Sequence, residues 1–121
     1  IVGGTTEKLN HMNEGDSLCD FAGPLGRATH TEGLKKVAVV GGGVGCAIAY
    51  PQAKFLFKSG AHVDIIAGFR SANLIILEND MKAVSNTLTV LTDDGTNGNK
   101  GLVQHPVDAD VHAIHIVGAE L

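Results

Sequence analysis

The sequence predicts an α/β fold: a three-layer, doubly wound parallel sheet. Two observations predict it. Short, predominantly apolar runs at 37–40, 63–67, 88–92 and 111–117 alternate with helix-length segments. Strands buried on both faces read this way, whereas a sheet with one wet face alternates apolar and polar residues. The first run also ends in a glycine cluster, Gly41-Gly42-Gly43-Val44-Gly45, that opens the following helical segment.

The elements follow in order. Residues 1–29 are polar and rich in turn formers; only Asp16-Ser-Leu-Cys-Asp-Phe-Ala-Gly23 has strand character, and Gly23-Pro-Leu-Gly26 then makes a turn. From Lys35 the pattern is βαβαβ. A strand at 37–40 leads to a helix at 44–59, which Gly60 terminates. A strand at 63–67 leads to a helix at 72–84. A strand at 88–92 leads to the polar loop 93–100, and a fourth strand occupies 111–117. Residues 1–30 and 31–121 therefore read as separate regions. Ala47, Ala53, Phe55, Leu56 and Phe57 of the first long helix are expected to pack on the sheet.

Composition narrows the function classes. The chain has 121 residues, 44% of them hydrophobic, enough for one globular core. Nine basic against thirteen acidic side chains leave −4, which argues against a nucleic-acid surface. No apolar run is long enough to span a bilayer and no charged-then-apolar leader opens the chain, so the expected location is cytoplasmic. Cys19 and Cys46 form no CxxC and read as reduced thiols; Cys46 falls at a helix start, where a thiol pKa can be lowered, but a small packed residue is its expected role. His112 and His115 fall on one strand at odd spacing, which separates them and leaves a zinc site with His105 poorly supported. No metal site is expected.

Parallel sheets bind ligands at the carboxyl ends of their strands. After the first strand comes the glycine turn, whose backbone N–H groups and helix dipole suit a phosphate. Gly41-x-Gly43-x-x-Cys46 lacks the third glycine of the dinucleotide fingerprint, and a ligand-free strand-to-helix turn would use the same residues. After the second strand come Arg70 and Ser71, with no carboxylate. In dinucleotide folds an acidic residue there selects NAD and an arginine accommodates the 2′-phosphate of NADP, so Arg70 favours NADP(H). Arg70 would otherwise be a solvated side chain and Ser71 a helix N-cap. After the third strand, Asp93, Asp94 and Gly95 are expected to form a turn rather than an acid/base pair.

Gly23-Pro-Leu-Gly26, Val37-Ala-Val-Val-Gly-Gly-Gly-Val-Gly45, Tyr50-Pro51, Gly68-Phe-Arg-Ser71, Leu74-Ile-Ile-Leu-Glu78 and Thr92-Asp-Asp-Gly95 stand in an order and spacing that resembles one family. It is the Rossmann-like NAD(P)-binding domain of ferredoxin–NADP⁺ reductase-like electron-transfer subunits. The likeness is greatest to the dihydroorotate dehydrogenase electron-transfer subunit and to the small subunit of NADH-dependent ferredoxin–NADP⁺ oxidoreductase (sulfide dehydrogenase-like), and covers roughly residues 15–103. The resemblance implies a flavin-dependent NAD(P)H oxidoreductase, a flavoprotein in which hydride passes between nicotinamide and FAD held by a preceding barrel. It implies that residues 1–30 are the last segment of that barrel plus a linker, and that 31–121 are a nucleotide domain cut short at its C-terminus. Gly42 to Gly45 would hold the pyrophosphate, Arg70 and Ser71 the adenosine end, and Asp93 to Gly95 would lie beside the nucleotide.

The chain departs from the family in three respects. Ile48 stands where a proline is usual in the helix start, no flavin-binding Arg-x-x-Ser/Thr precedes Gly23, and the last strand ends in Gly118-Ala-Glu-Leu121 without a cysteine cluster. With only Cys19 and Cys46, an iron–sulfur cluster belongs to the parent protein rather than to this chain. The expectation is an NADP(H)-binding module, inactive alone, partnered by a flavin domain and a larger oxidoreductase subunit. The alternative is a non-catalytic nucleotide-binding or assembly domain. Catalytic residues are not identifiable.

Overall fold

The structure is a computed structural model that describes residues 3–101 and 112–117. It divides into two units, Ile1–His30 and Thr31–Leu121. The first contains one short helix, α1 (Gly4–Asn10), with Gly3 in the left-handed region at its start and no buried residue. That helix was not foreseen. The strand expected at 16–23 does not form: no residue there enters a ladder, and Phe21 is 90% exposed. Strand-like sequence becomes a strand only when a neighbouring backbone bonds to it.

The second unit holds a four-stranded parallel sheet of β1 (Lys36–Gly42), β2 (His62–Phe69), β3 (Thr87–Thr92) and β4 (His112–Val117), ordered β3-β2-β1-β4. The order reverses at β1, so the sheet is doubly wound. Val37 stands opposite Val63 and His112, and Ala67 opposite Val90. One face therefore collects Val37, Val39, Val63, Ile65, Ala67, Phe69, Val90 and Ile114, all buried. Ala38, Val40 and Ile66, on the other face, are buried as well, which is why the strands read as predominantly apolar runs.

Helix α2 (Gly45–Lys58) covers the first face with Cys46, Ala49, Ala53 and Leu56. It ends where Gly60 marks the stop. Gly60, at φ 87, donates to the Phe57 carbonyl and Ala61 donates to Leu56, closing a Schellman motif. Phe55 and Phe57, expected against the sheet, are instead 58% and 37% exposed. Ala53 and Leu56 take the inward stripe; a 3.6-residue period turns Phe55 away from it and leaves Phe57, four residues after Ala53, at its margin.

The helix expected over 72–84 is broken. Ala72–Leu74 is a single 3₁₀ turn, Leu77 sits in the left-handed region at φ 56, and α3 (Glu78–Ala83) begins only after it. The run Leu74-Ile75-Ile76-Leu77 has no helical period. Ile75 and Leu77 pack on the core while Leu74 and Ile76 are exposed, an alternation that suits extended backbone. Residues 102–111 and 118–121, which include His105, Val111 and the C-terminal stretch, lie outside the described residues.

Candidate functional site at the carboxyl edge of the sheet

The ends of β1, β2 and β3 share one edge because all three strands run parallel. Gly41 and Gly42 complete β1, in register with Ala67 and Gly68. A Cβ on Gly41 would stand 3.0 Å from the Cys46 Sγ and 3.1 Å from its Cα, so the strand end and helix start approach as only glycine permits. Cys46, in place of the fingerprint's third glycine, is fully buried there. Burial pushes its thiol up to about 11, opposite to the lowering a helix N-terminus offers. The residue is packing, not a reactive thiolate.

Gly43 turns the chain at φ 53, and a Cβ there would meet nothing within 4 Å. Its N–H donates to the Gly68 carbonyl at 2.8 Å, tying the turn to the end of β2. The Cys46 and Ala47 amides donate back to Gly43 and Val44, which leaves the Val44 and Gly45 N–H groups without an acceptor among the described residues. Val44 is exposed and Gly45 buried. The amides available to an anion are thus fewer than the five glycine-turn residues would supply, and they head a 14-residue helix.

Two residues past Gly68, Arg70 is exposed, and its guanidinium has no ion-pair partner among the described residues. Ser71 occupies the N-cap position of the 3₁₀ turn but does not cap it; its hydroxyl donates to Asn73 Oδ1 at 2.6 Å. The acceptor comes from elsewhere. Ala72 N–H donates to Thr96 Oγ1 at 2.8 Å, and Thr96 in turn donates its hydroxyl to Asp94 Oδ1 at 2.7 Å and its N–H to the same oxygen at 3.0 Å. Thr96 thereby holds the Asp94 carboxyl below its ordinary range, through the hydroxyl first and the amide second. The expected turn at Asp93–Gly95 is present, with Gly95 at φ 76. Asp93 N–H donates to Phe69 O at 3.0 Å and Asp94 N–H to Arg70 O at 3.4 Å. The loops after β2 and β3 are therefore fastened together.

Sequence reasoning placed Gly68 and Thr96 at the strand ends without giving either a role, and missed Asn97. Asn97 organises the polar loop: its Oδ1 accepts from the buried Thr92 hydroxyl at 2.7 Å and its Nδ2 donates to Val90 O at 3.0 Å. The Thr-Asp-Asp-Gly-Thr-Asn-Gly-Asn string is dense in turn formers, a signal of ordered loop structure that does not say which partner each side chain takes.

Two open concavities leave out the glycine turn, Arg70, Ser71 and Thr96, although Asn97 lines the second of them. One of about 580 Å³, lined by Thr31, Leu34, Lys35, Phe55 and Ser59, lies at the opposite end of the sheet. Another of about 590 Å³, lined by Glu78, Lys82, Asn86, Leu88 and Asn99, flanks the β3 edge. Neither brings together backbone amides and a guanidinium that lack partners among the described residues, so the chemistry points to the carboxyl edge. Among the described residues no group of three or more His, Cys, Asp or Glu is placed to hold a metal ion, and no helix is long and apolar enough to cross a membrane.

The fold and edge define a Rossmann-like α/β domain. No family model matches the chain. It is 41% identical over 108 residues to the dihydroorotate dehydrogenase B (NAD(+)) electron transfer subunit homolog of Thermotoga maritima, covering 89% of this chain and 38% of the relative. It is 34% identical over 111 residues to the dihydroorotate dehydrogenase B (NAD(+)) electron transfer subunit of Streptococcus mutans, covering 89% and 42%. A chain of the NADH-dependent reduced ferredoxin-NADP oxidoreductase, solved in a study of flavin-based electron bifurcation, superposes with a TM-score of 0.69 at 37% identity, over 93% of this chain and 42% of that one. The chain belongs to this ferredoxin–NADP⁺ reductase-like family of electron-transfer subunits. It spans about two fifths of the length of the relatives it matches.

Proposed function

We propose that this chain is the nicotinamide-dinucleotide module of a flavin-dependent electron-transfer oxidoreductase. The observation that carries the reading is the bond from Gly43 N–H to Gly68 O. It joins the glycine turn, whose Val44 and Gly45 amides have no acceptor among the described residues, to the strand end that bears the exposed Arg70. Pyrophosphate over the turn and adenosine against Arg70 and Ser71 fit that arrangement, and the open space above Gly43 leaves room for the phosphate to approach. Asp93, Asp94 and Gly95 border the adenosine end. The nicotinamide supplies hydride chemistry, and the chain's own work is to bind and orient it. Arg70 favours a 2′-phosphate and hence NADP(H); the NAD(+) in the names of both curated relatives makes NAD(H) the competing ligand.

FAD, the hydride's redox partner, would be held by a barrel outside residues 31–121. The residues present do not fit an iron–sulfur cluster: Cys46 is sealed beneath Gly41, and Cys19 is the only other cysteine. In the whole protein a larger oxidoreductase subunit would receive or supply the electrons.

Calorimetric titration of NADPH, NADH and FAD into the chain tests the reading. NADPH is expected to bind, FAD not to, and Arg70→Ala to weaken NADPH about tenfold, with a smaller effect on NADH, because a charge-assisted contact is lost. Equal losses for both dinucleotides would reassign Arg70 and favour NAD(H). No affinity for either would leave an assembly domain.

A further inference from the structure

Resting on the dinucleotide reading above, we propose that Thr96 is the positioning residue that sets the adenosine end of the site. The turn carrying Arg70 and Ser71 has no cap of its own, because the Ser71 hydroxyl is spent on Asn73. The first amide of that turn is captured across 24 residues of sequence by Thr96 Oγ1. One hydroxyl thus works in both directions: it accepts from Ala72 N–H at 2.8 Å and donates to Asp94 Oδ1 at 2.7 Å. The Asp94 N–H then returns to the Arg70 carbonyl, closing a ring of contacts that runs Arg70, Ala72, Thr96, Asp94 and back to Arg70. Thr96 touches no reacting atom.

The consequence is specific. Arg70 is exposed and pairs with no carboxylate among the described residues, so the direction it takes depends on its backbone rather than on a side-chain partner. Its backbone is held on one side by Gly68, which bonds the glycine turn, and on the other by the Thr96 ring. Without the hydroxyl, Ala72 N–H and Asp94 each lose a partner, and Arg70 and Ser71 lose the constraint that presents them together. The glycine turn, held by the Gly43–Gly68 bond, keeps its own constraint. Loss of Thr96 should therefore damage recognition of adenosine and leave recognition of pyrophosphate alone.

The test uses Thr96→Val, which removes the hydroxyl at nearly constant volume, and Thr96→Ser, which retains it. Both are titrated beside the unaltered chain with NADPH, with adenosine 2′,5′-bisphosphate as a probe of the Arg70 end, and with inorganic pyrophosphate as a probe of the glycine turn. Amide chemical shifts supply the readout. Thr96→Val is expected to weaken NADPH and the bisphosphate about tenfold and to leave pyrophosphate unchanged, while Thr96→Ser stays within about twofold on all three. Unchanged bisphosphate affinity in Thr96→Val overturns the proposal. Equal loss of pyrophosphate overturns it too, since that marks general damage. Failure of the unaltered chain to bind any of the three overturns the dinucleotide reading itself, before a variant is compared.

Discussion

Phe69 and Phe21 are the same residue in two physical situations. Phe69 closes β2, is 3% exposed and belongs to the core cluster, whereas Phe21 stands 90% exposed in a segment that bonds to no strand. Around Phe69, every apolar position of the strand has a neighbour in register, and burial follows from pairing. Around Phe21 the apolar residues Leu18 and Leu25 are exposed as well, at 53% and 83%. Apolar content alone does not make a core; a backbone partner has to bring it together.

Four measurements would break or sharpen this comparison. The largest effect is expected from Leu56→Ala, which empties a side chain only 1% exposed and should cost about 2–5 kcal/mol in chemical denaturation. A loss below about 1 kcal/mol would mean that α2 is not seated on the sheet as described. Next comes Gly41→Ala, whose methyl would press on the Sγ and Cα of Cys46. About 1–3 kcal/mol of destabilisation is expected in the same assay, because backbone cannot yield as a side-chain tip can.

The two cysteines carry the comparison into chemistry. At pH 8 a thiol reagent should modify exposed Cys19 readily and Cys46 only on unfolding. The folded Cys46 thiol lies near 11 against an ordinary 9.0, so the folded state holds its proton more tightly than the unfolded one. Its contribution to stability is therefore complete below about pH 9 and falls as pH climbs from there towards 11. Rapid modification of both thiols in the folded chain would contradict that burial. The smallest effect belongs to Phe21→Ala, expected within about 0.5 kcal/mol of the unaltered chain by thermal denaturation. A larger loss would show that this segment does have a packing partner.

Much of the fold was legible because its signals are local. Predominantly apolar runs marked the described strands, although Gly41 and Gly42 proved to extend β1 by two further positions. Gly60 marked the end of α2 through the positive φ that a Schellman turn requires. The four-residue apolar run at 74–77 misled because its composition suits helix and extended chain alike. Its alternation became visible only once Ile75 and Leu77 had a core to enter. For α1 there was no amphipathic stripe to find, and none of its residues is buried.

The site divides along the same line. The sequence alone determined which residues stand at the strand ends, because a parallel sheet puts Gly41 to Gly45, Arg70 and Ser71, and Asp93 to Gly95 at one edge. Local chemistry was enough for that. Only the tertiary structure decided how each is held: that Gly43 spends its amide on Gly68, that Cys46 seals against Gly41, and that Thr96 caps a turn 24 residues away. Hydrogen-bond partners distant in sequence are chosen by geometry, and the residue types record only that a donor and an acceptor are available.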